Sequence, residues 1–197
     1  MLFLLIGCVS PIPADLCLET AGQHRGDEFR IYDVAWSPTA DLLFTGSMTR
    51  LRLHAIEDDG DTVVLLDEEE STTRYNSVLW TADGGHLIAP SGDAIRLYAV
   101  DPVAGFDEIA RSPATGVEYN RAALSPDGRH LLACDRDGRA ELHALSLDPP
   151  QLVLLDRVQA HERCTRISWS PGGTMGMSAG LEGDLQLYAF DIEAGSL

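Results

Sequence analysis

Apolar and polar residues alternate along most of the chain in bursts of five to seven positions, and no stretch sustains a helical period with caps at its ends. A period of two places alternate side chains on opposite faces of a pleated strand. The bursts are cut by pairs that favour tight turns. Asp83-Gly84, Asp127-Gly128 and Gly172-Gly173 divide a first strand from a second, and Gly92-Asp93, Asp137-Gly138 and Gly183-Asp184 divide a second from a third. Such pairs supply the positive φ that hairpin turns need. A more irregular fourth strand follows, as in 62–66 and 151–155. The pattern predicts short antiparallel strands joined by hairpins.

Two ladders of equivalent residues run through these bursts. Val34-Ala35-Trp36-Ser37-Pro38 aligns with Val78-Leu79-Trp80-Thr81-Ala82, with Ala122-Ala123-Leu124-Ser125-Pro126 and with Ile167-Ser168-Trp169-Ser170-Pro171. Its central residues Trp36, Trp80, Leu124 and Trp169 are spaced by 44, 44 and 45. The second ladder has Leu53, Leu97, Leu142 and Leu187 at its centres, spaced by 44, 45 and 45. Two ladders with one period define a repeat that makes the same supersecondary unit each time. The expected fold is all-β, a β-propeller built from four antiparallel four-stranded blades with a period of 44–45 residues. The blades are expected at about 31–70, 75–112, 118–158 and 164–197, within a repeat region of 24–197.

The chain resembles the WD40 family over roughly 24–191. Ala160-His161 followed by the strand at 167–171 is similar to that family's Gly-His segment and first strand, and Ser125-Pro126-Asp127-Gly128 to its first hairpin. The segments Leu51–Glu57, Ile95–Asp101, Ala140–Ser146 and Leu185–Asp191 are similar to its Trp-Asp strand. His54, Tyr98, His143 and Tyr188 stand where the family's Trp does, and Ala55, Ala99, Ala144 and Ala189 where its Asp does. The hydrogen-bonded tetrad of that family is therefore expected to be largely absent, with apolar packing and strand ladders in its place. Lactonase-type propellers use similar Ser-Pro-Asp-Gly strands, and the subfamily stays open.

The last repeat ends near its third strand. Residues 15–19 precede Trp36 by about the distance at which Leu66 precedes Trp80, so they are a candidate closing strand for the last blade. The same spacing fits a chain with further blades, or a ring completed by a homodimer. Ahead of that strand, residues 1–7 are all apolar and lead into Cys8. Leu5-Ile6-Gly7-Cys8 resembles a bacterial lipobox. The expectation is a leader over 1–8, lipidation at Cys8, and a tether with the closing strand over 9–23. The alternative is an apolar edge at the N-terminus. Lipidation places the protein in the bacterial cell envelope, on the outer membrane facing the periplasm or exterior, and its absence places it in the cytoplasm.

The net charge is −17, from 31 acidic residues and 14 basic ones, all of them arginine. That balance disfavours binding to nucleic acid or anionic lipid and leaves solubility or basic partners as its consequence. With Cys8 lipidated, Cys17, Cys134 and Cys164 remain. Their spacing matches no zinc signature, and they are expected to be buried apolar thiols. Acidic residues at 57–61 and 67–70 are expected at a solvated hairpin tip. Arg50, Arg52 and Arg96 are expected to pair with carboxylates, and His54 and His143 to be structural. No catalytic, metal-binding or cofactor motif occurs.

The functional expectation is a non-enzymatic scaffold that binds unknown protein partners. Its binding face is formed by loops 24–31, 71–76, 113–120 and 160–165 with 48–50, 91–94, 135–139 and 180–184. The alternatives are a lactonase-like hydrolase and a cytoplasmic assembly platform.

Overall fold

The computed structural model describes residues 30–57 and 62–190, and all its regular elements are strands. The first sheet contains β1 (Ile31–Trp36), β2 (Leu42–Ser47), β3 (Arg50–Ile56) and β4 (Val63–Glu70). The second contains β5 (Leu79–Trp80), β6 (His86–Ser91), β7 (Ala94–Asp101) and β8 (Gly105–Arg111). The third contains β9 (Tyr119–Leu124), β10 (His130–Asp135), β11 (Arg139–Leu147) and β12 (Pro150–Gln159). The fourth contains β13 (Cys164–Trp169), β14 (Met175–Gly180) and β15 (Leu185–Ala189). Within each sheet, strands pair antiparallel in sequence order, which makes four propeller blades. The fourth blade has three strands among the described residues, and the candidate closing strand at 15–19 lies outside them, as do Cys8, Cys17 and 58–61.

The repeat is carried by local hydrogen bonding. In the first hairpin of blades two to four, a hydroxyl at the end of the first strand accepts the amide of the residue five positions on. The pairs are His86 N to Thr81 Oγ1 (3.1 Å), His130 N to Ser125 Oγ (2.9 Å) and Met175 N to Ser170 Oγ (3.1 Å). Between them Gly84, Gly128 and Gly173 hold φ of 68–72°, which an L side chain rarely adopts. Ladder shifts fall between Leu53 and His54, Leu97 and Tyr98, and Leu142 and His143. A bulge at one repeat position adds twist to each of the first three blades where the third strand meets the fourth.

Three apolar clusters lie between successive blades. Phe44, Leu51 and Leu53 pack on Tyr75, Val78 and Leu87. Ile88, Ile95 and Leu97 pack on Tyr119, Ala122 and Leu131. Leu132, Ala140 and Leu142 pack with Cys164 and Ile167. Trp80 Nε1 donates to Ala35 O (3.0 Å) and Trp169 Nε1 to Ala123 O (2.9 Å), each reaching back to the preceding blade. Trp169→Phe keeps most of the packing and loses that hydrogen bond. It is expected to lower stability by about 1 kcal/mol. An unchanged urea midpoint would show that the indole N–H contributes nothing to the joint.

The structure corrects two expectations and qualifies a third, the second below. First, Cys134 and Cys164 form a disulfide between β10 and β13, with Cα atoms 5.9 Å apart, rather than lying as separate buried thiols. Each is an inward residue on adjoining blades, so packing two repeats together brings the sulfurs into contact. Second, a four-membered hydrogen-bonded chain is present in blade four. Tyr188 OH donates to Ser178 Oγ (2.6 Å), Ser178 to His161 Nε2 (2.7 Å), and His161 Nδ1 to Asp184 Oδ2 (2.9 Å). The carboxylate comes from the turn after β14, so the alanine at 189 does not remove it. Third, Asp67–Glu70 belongs to β4 rather than to a hairpin tip, because its carboxylates lie opposite the arginines of β3 and β7. Arg50 reaches Glu68 (3.0 Å) and Glu70 (2.9 Å), Arg52 reaches Glu68 (2.9 Å), and Arg96 reaches Glu69 (3.1 Å).

Candidate functional site at the axial mouth

A polar loop end is assembled by short backbone hydrogen bonds between the predicted face loops. Ser71 N reaches Thr49 O (2.7 Å), Thr115 N reaches Asp93 O (2.9 Å), His161 N reaches Gly138 O (3.0 Å) and Leu181 N reaches Arg163 O (3.0 Å). Gly138 has a φ of 79°, and a Cβ there would collide with the carbonyl of His161. The loops at 71–76, 113–120 and 160–165 thus meet those at 48–50, 91–94 and 135–139, and 160–165 also meets 180–184.

The first strand of each blade supplies the centre of this end. The β1–β2 ladder skips Tyr32, the β9–β10 ladder skips Asn120, and the β13–β14 ladder skips Thr165. These bulged residues and Asn76 occupy one position of the repeat. They line a common open depression of about 310 Å³ with Arg121, Arg163, Arg166 and Leu181. Four equivalent residues meeting in one depression place the first strands innermost, around the propeller axis.

The amides at this mouth join neighbouring blades. Asn76 Nδ2 donates to Tyr119 O (2.8 Å) and Glu118 Oε1 (2.9 Å), and Asn120 Nδ2 donates to Cys164 O (2.6 Å). Thr165 turns instead to Ala179 O within its own blade (3.0 Å). Tyr32 carries the guanidinium of Arg74 over its ring, 5.8 Å from the centroid.

The arginines at this mouth lack the ion pairs that most described arginines make. Among the described residues eight arginines, Arg136 and Arg157 included, sit in ion pairs with carboxylates. No ion pair joins Arg121, Arg163 or Arg166 to a described residue. Arg121 Nη1 donates to Asn120 O (3.3 Å) and Arg166 Nη1 to Thr165 O (2.8 Å), contacts that use one or two of the five donors on each fork. Burial lowers the affinity of Arg121 for its proton; the nearby Asp33 opposes this and Arg166 reinforces it. Two like charges and a third beside them therefore face an open depression in a chain of net charge −17. Free guanidinium forks in that setting are suited to carboxylate or phosphate oxygens.

The predicted repeat residues are spread through the blades rather than gathered at the mouth. Leu53, Leu97 and Leu142 are core side chains, Trp80 and Trp169 seal joints, Leu124 packs beside the second joint, and Trp36 and Leu187 are exposed. His54 Nε2 lies 3.2 Å from Thr45 Oγ1, and His143 Nε2 donates to the buried Glu141 Oε2 (2.9 Å). Ser178, His161 and Asp184 have the order of a nucleophilic triad, but the serine hydroxyl is enclosed between His161 and Tyr188 at 1% exposure. Among the described residues no group of histidine, cysteine and carboxylate side chains could hold a metal ion. No described helix is long and apolar enough to cross a membrane.

The arginine mouth was not singled out from the sequence. Its signal was present in the repeat: Tyr32, Asn76, Asn120 and Thr165 share a position, and arginine follows it in blades three and four.

A family model for the WD domain, G-beta repeat, matches residues 16–51. No curated protein matches the chain. Among solved structures, it is similar to Sqt1 of Chaetomium thermophilum bound to the N-terminus of the ribosomal protein L10. That likeness has a TM-score of 0.73 at 21% identity and covers 89% of this chain and 50% of that one. It is also similar to PpgL, the periplasmic gluconolactonase of Pseudomonas aeruginosa, with a TM-score of 0.73 at 18% identity, over 85% of this chain and 52% of that one. The chain thus spans about half the length of these propellers. At this identity the likeness shows the shared fold.

Proposed function

We propose that this chain is a non-enzymatic protein-binding propeller whose axial mouth takes an acidic segment of its partner. The observation that carries this reading is the set of three arginines, Arg121, Arg163 and Arg166, without described ion-pair partners around one depression. The shared fold with Sqt1, a propeller bound to the N-terminus of a ribosomal protein, supports a protein-binding role. The overall negative charge does not forbid an acidic ligand. At physiological salt, charges more than about 8 Å away are largely screened, whereas the arginines would touch the ligand directly.

The test is fluorescence anisotropy with a labelled glutamate-rich peptide and its glutamine counterpart. The full chain is expected to bind the acidic peptide and not the neutral one. Arg121→Ala and Arg166→Ala are each expected to weaken binding at least tenfold, in line with roughly 1.5–3 kcal/mol for a hydrogen bond to a charged group. Equal binding of both peptides, or binding indifferent to both substitutions, overturns the reading. Turnover of gluconolactone by the full chain would move the assignment to an enzyme of the lactonase type.

The disulfide between Cys134 and Cys164 supports an oxidising compartment, and with it the cell envelope and the lipid anchor at Cys8. Incorporation of labelled fatty acid that is abolished by Cys8→Ser is the expected result. No incorporation returns the protein to the cytoplasm as an assembly platform.

A further inference from the structure

Repeat-equivalent residues show how each blade is covered by the next. Leu53, Leu97 and Leu142 look toward the following blade and are at most 5% exposed. Their equivalent in blade four, Leu187, is 59% exposed, and Leu185 and Met177 beside it are 65% and 40% exposed. The opposite face repeats the pattern. Val78, Ala122 and Ile167 look toward the preceding blade and are at most 9% exposed, whereas Val34 of blade one is 64% exposed. Trp80 and Trp169 donate to carbonyls one blade back, but the Trp36 indole N–H meets no acceptor among the described residues.

Blades one and four therefore carry the two halves of one joint, separated on the molecule. The joints inside the chain specify what fits each half: another blade of this repeat in the same orientation. The chain overlays about half of each larger propeller it resembles, which is the share that each of two such copies would fill.

We propose that two copies associate head to tail, with blade four of each covering blade one of the other. Leu185 and Leu187 of one copy pack on Val34 and Trp36 of the other, and the Trp36 indole reaches the carbonyl at position 168, the counterpart of Ala35 and Ala123. The two contacts are heterologous and close after two copies when each spans half a turn. Blade edges that lie open in the single chain become ordinary inter-blade joints, and the arginine mouth is completed by a second set of first strands.

Light scattering of the full chain is expected to give the mass of two 21.4 kDa chains. Trp36→Glu and Leu187→Glu alter exposed side chains, so each should keep its β-sheet circular dichroism. Each alone places a charge in both joints and is expected to raise the dimer Kd at least tenfold. An equimolar mixture of the two has one wholly native joint, and is expected to recover a heterodimer that neither variant forms alone. A monomeric native chain overturns the proposal. So does dissociation by only one substitution, or a series of species larger than the dimer.

Discussion

Replacing Glu141 with alanine is expected to destabilise the protein by about 3 kcal/mol, near the lower end of the range for removing one partner of a buried ion pair. Glu141 lies on β11 at 1% exposure. Its Oε2 accepts from Tyr119 OH (2.5 Å) and His143 Nε2 (2.9 Å), and its Oε1 accepts from Arg157 Nε (2.6 Å). Truncation strands a buried phenol and a buried imidazole without an acceptor. Arg157 is more exposed and can turn to water, which is why the lower figure applies. Urea titration checks it, and a loss below about 1 kcal/mol would mean that the cluster re-pairs when the carboxylate is removed.

The same residue carries a pH signature. Burial opposes the ionised carboxylate, but hydrogen bonds from His143 and Tyr119, with the charges of His143 and Arg157, outweigh it and hold the pKa below its usual value. On acidification the unfolded chain therefore takes up this proton first. The stability due to ionised Glu141 is complete above an unfolded pKa of about 4.3 and is lost as the pH falls through the lower folded value. The stability gap between the native chain and Glu141→Gln is expected to narrow from pH 7 to pH 3. Asp135 works in the opposite direction: burial raises its pKa despite the backbone hydrogen bond and charge of Arg139. For that reason the difference between the two proteins, rather than the native pH profile, is the readout. A gap of constant size would exclude the ionised cluster.

Reducing the Cys134–Cys164 bond, or replacing both residues with alanine, is expected to cost about 3–4 kcal/mol, the loop-entropy figure for a closed loop of some 30 residues. Both cysteines are fully buried between blades three and four. The loss should be felt unevenly, because the bond ties β13 to β10, whereas the described core of blade one packs on blade two. Hydrogen exchange under reducing conditions is expected to accelerate in β13–β15 more than in β1–β4. A urea midpoint unchanged by reductant would show that packing at this joint holds blade four unaided.

Strand positions, hairpins and the four-fold repeat were legible in the linear pattern because each rests on local preferences. Alternation decides which side chains share a face, and Gly-Asp or Asp-Gly pairs decide where the chain reverses. The ladders through Trp36 and Leu53 therefore located the blades. That Arg50, Arg52 and Arg96 pair with carboxylates was legible too, but that their partners lie on β4 rather than at a hairpin tip was not.

Other features depend on how the strands of a blade fold back on one another and on how one blade packs on the next, which local alternation does not fix. The disulfide, the Tyr188–Ser178–His161–Asp184 chain and the bulges that turn Tyr32, Asn120 and Thr165 to the axis are of this kind. So is the gathering of Arg121, Arg163 and Arg166, which strand alternation cannot distinguish from surface arginines. Leu142 and Leu187 read alike in the sequence and pack differently, one at 5% exposure and the other at 59%. A repeat encodes the same face each time, but burial of that face requires a neighbour, and the neighbour is a property of the assembled blades.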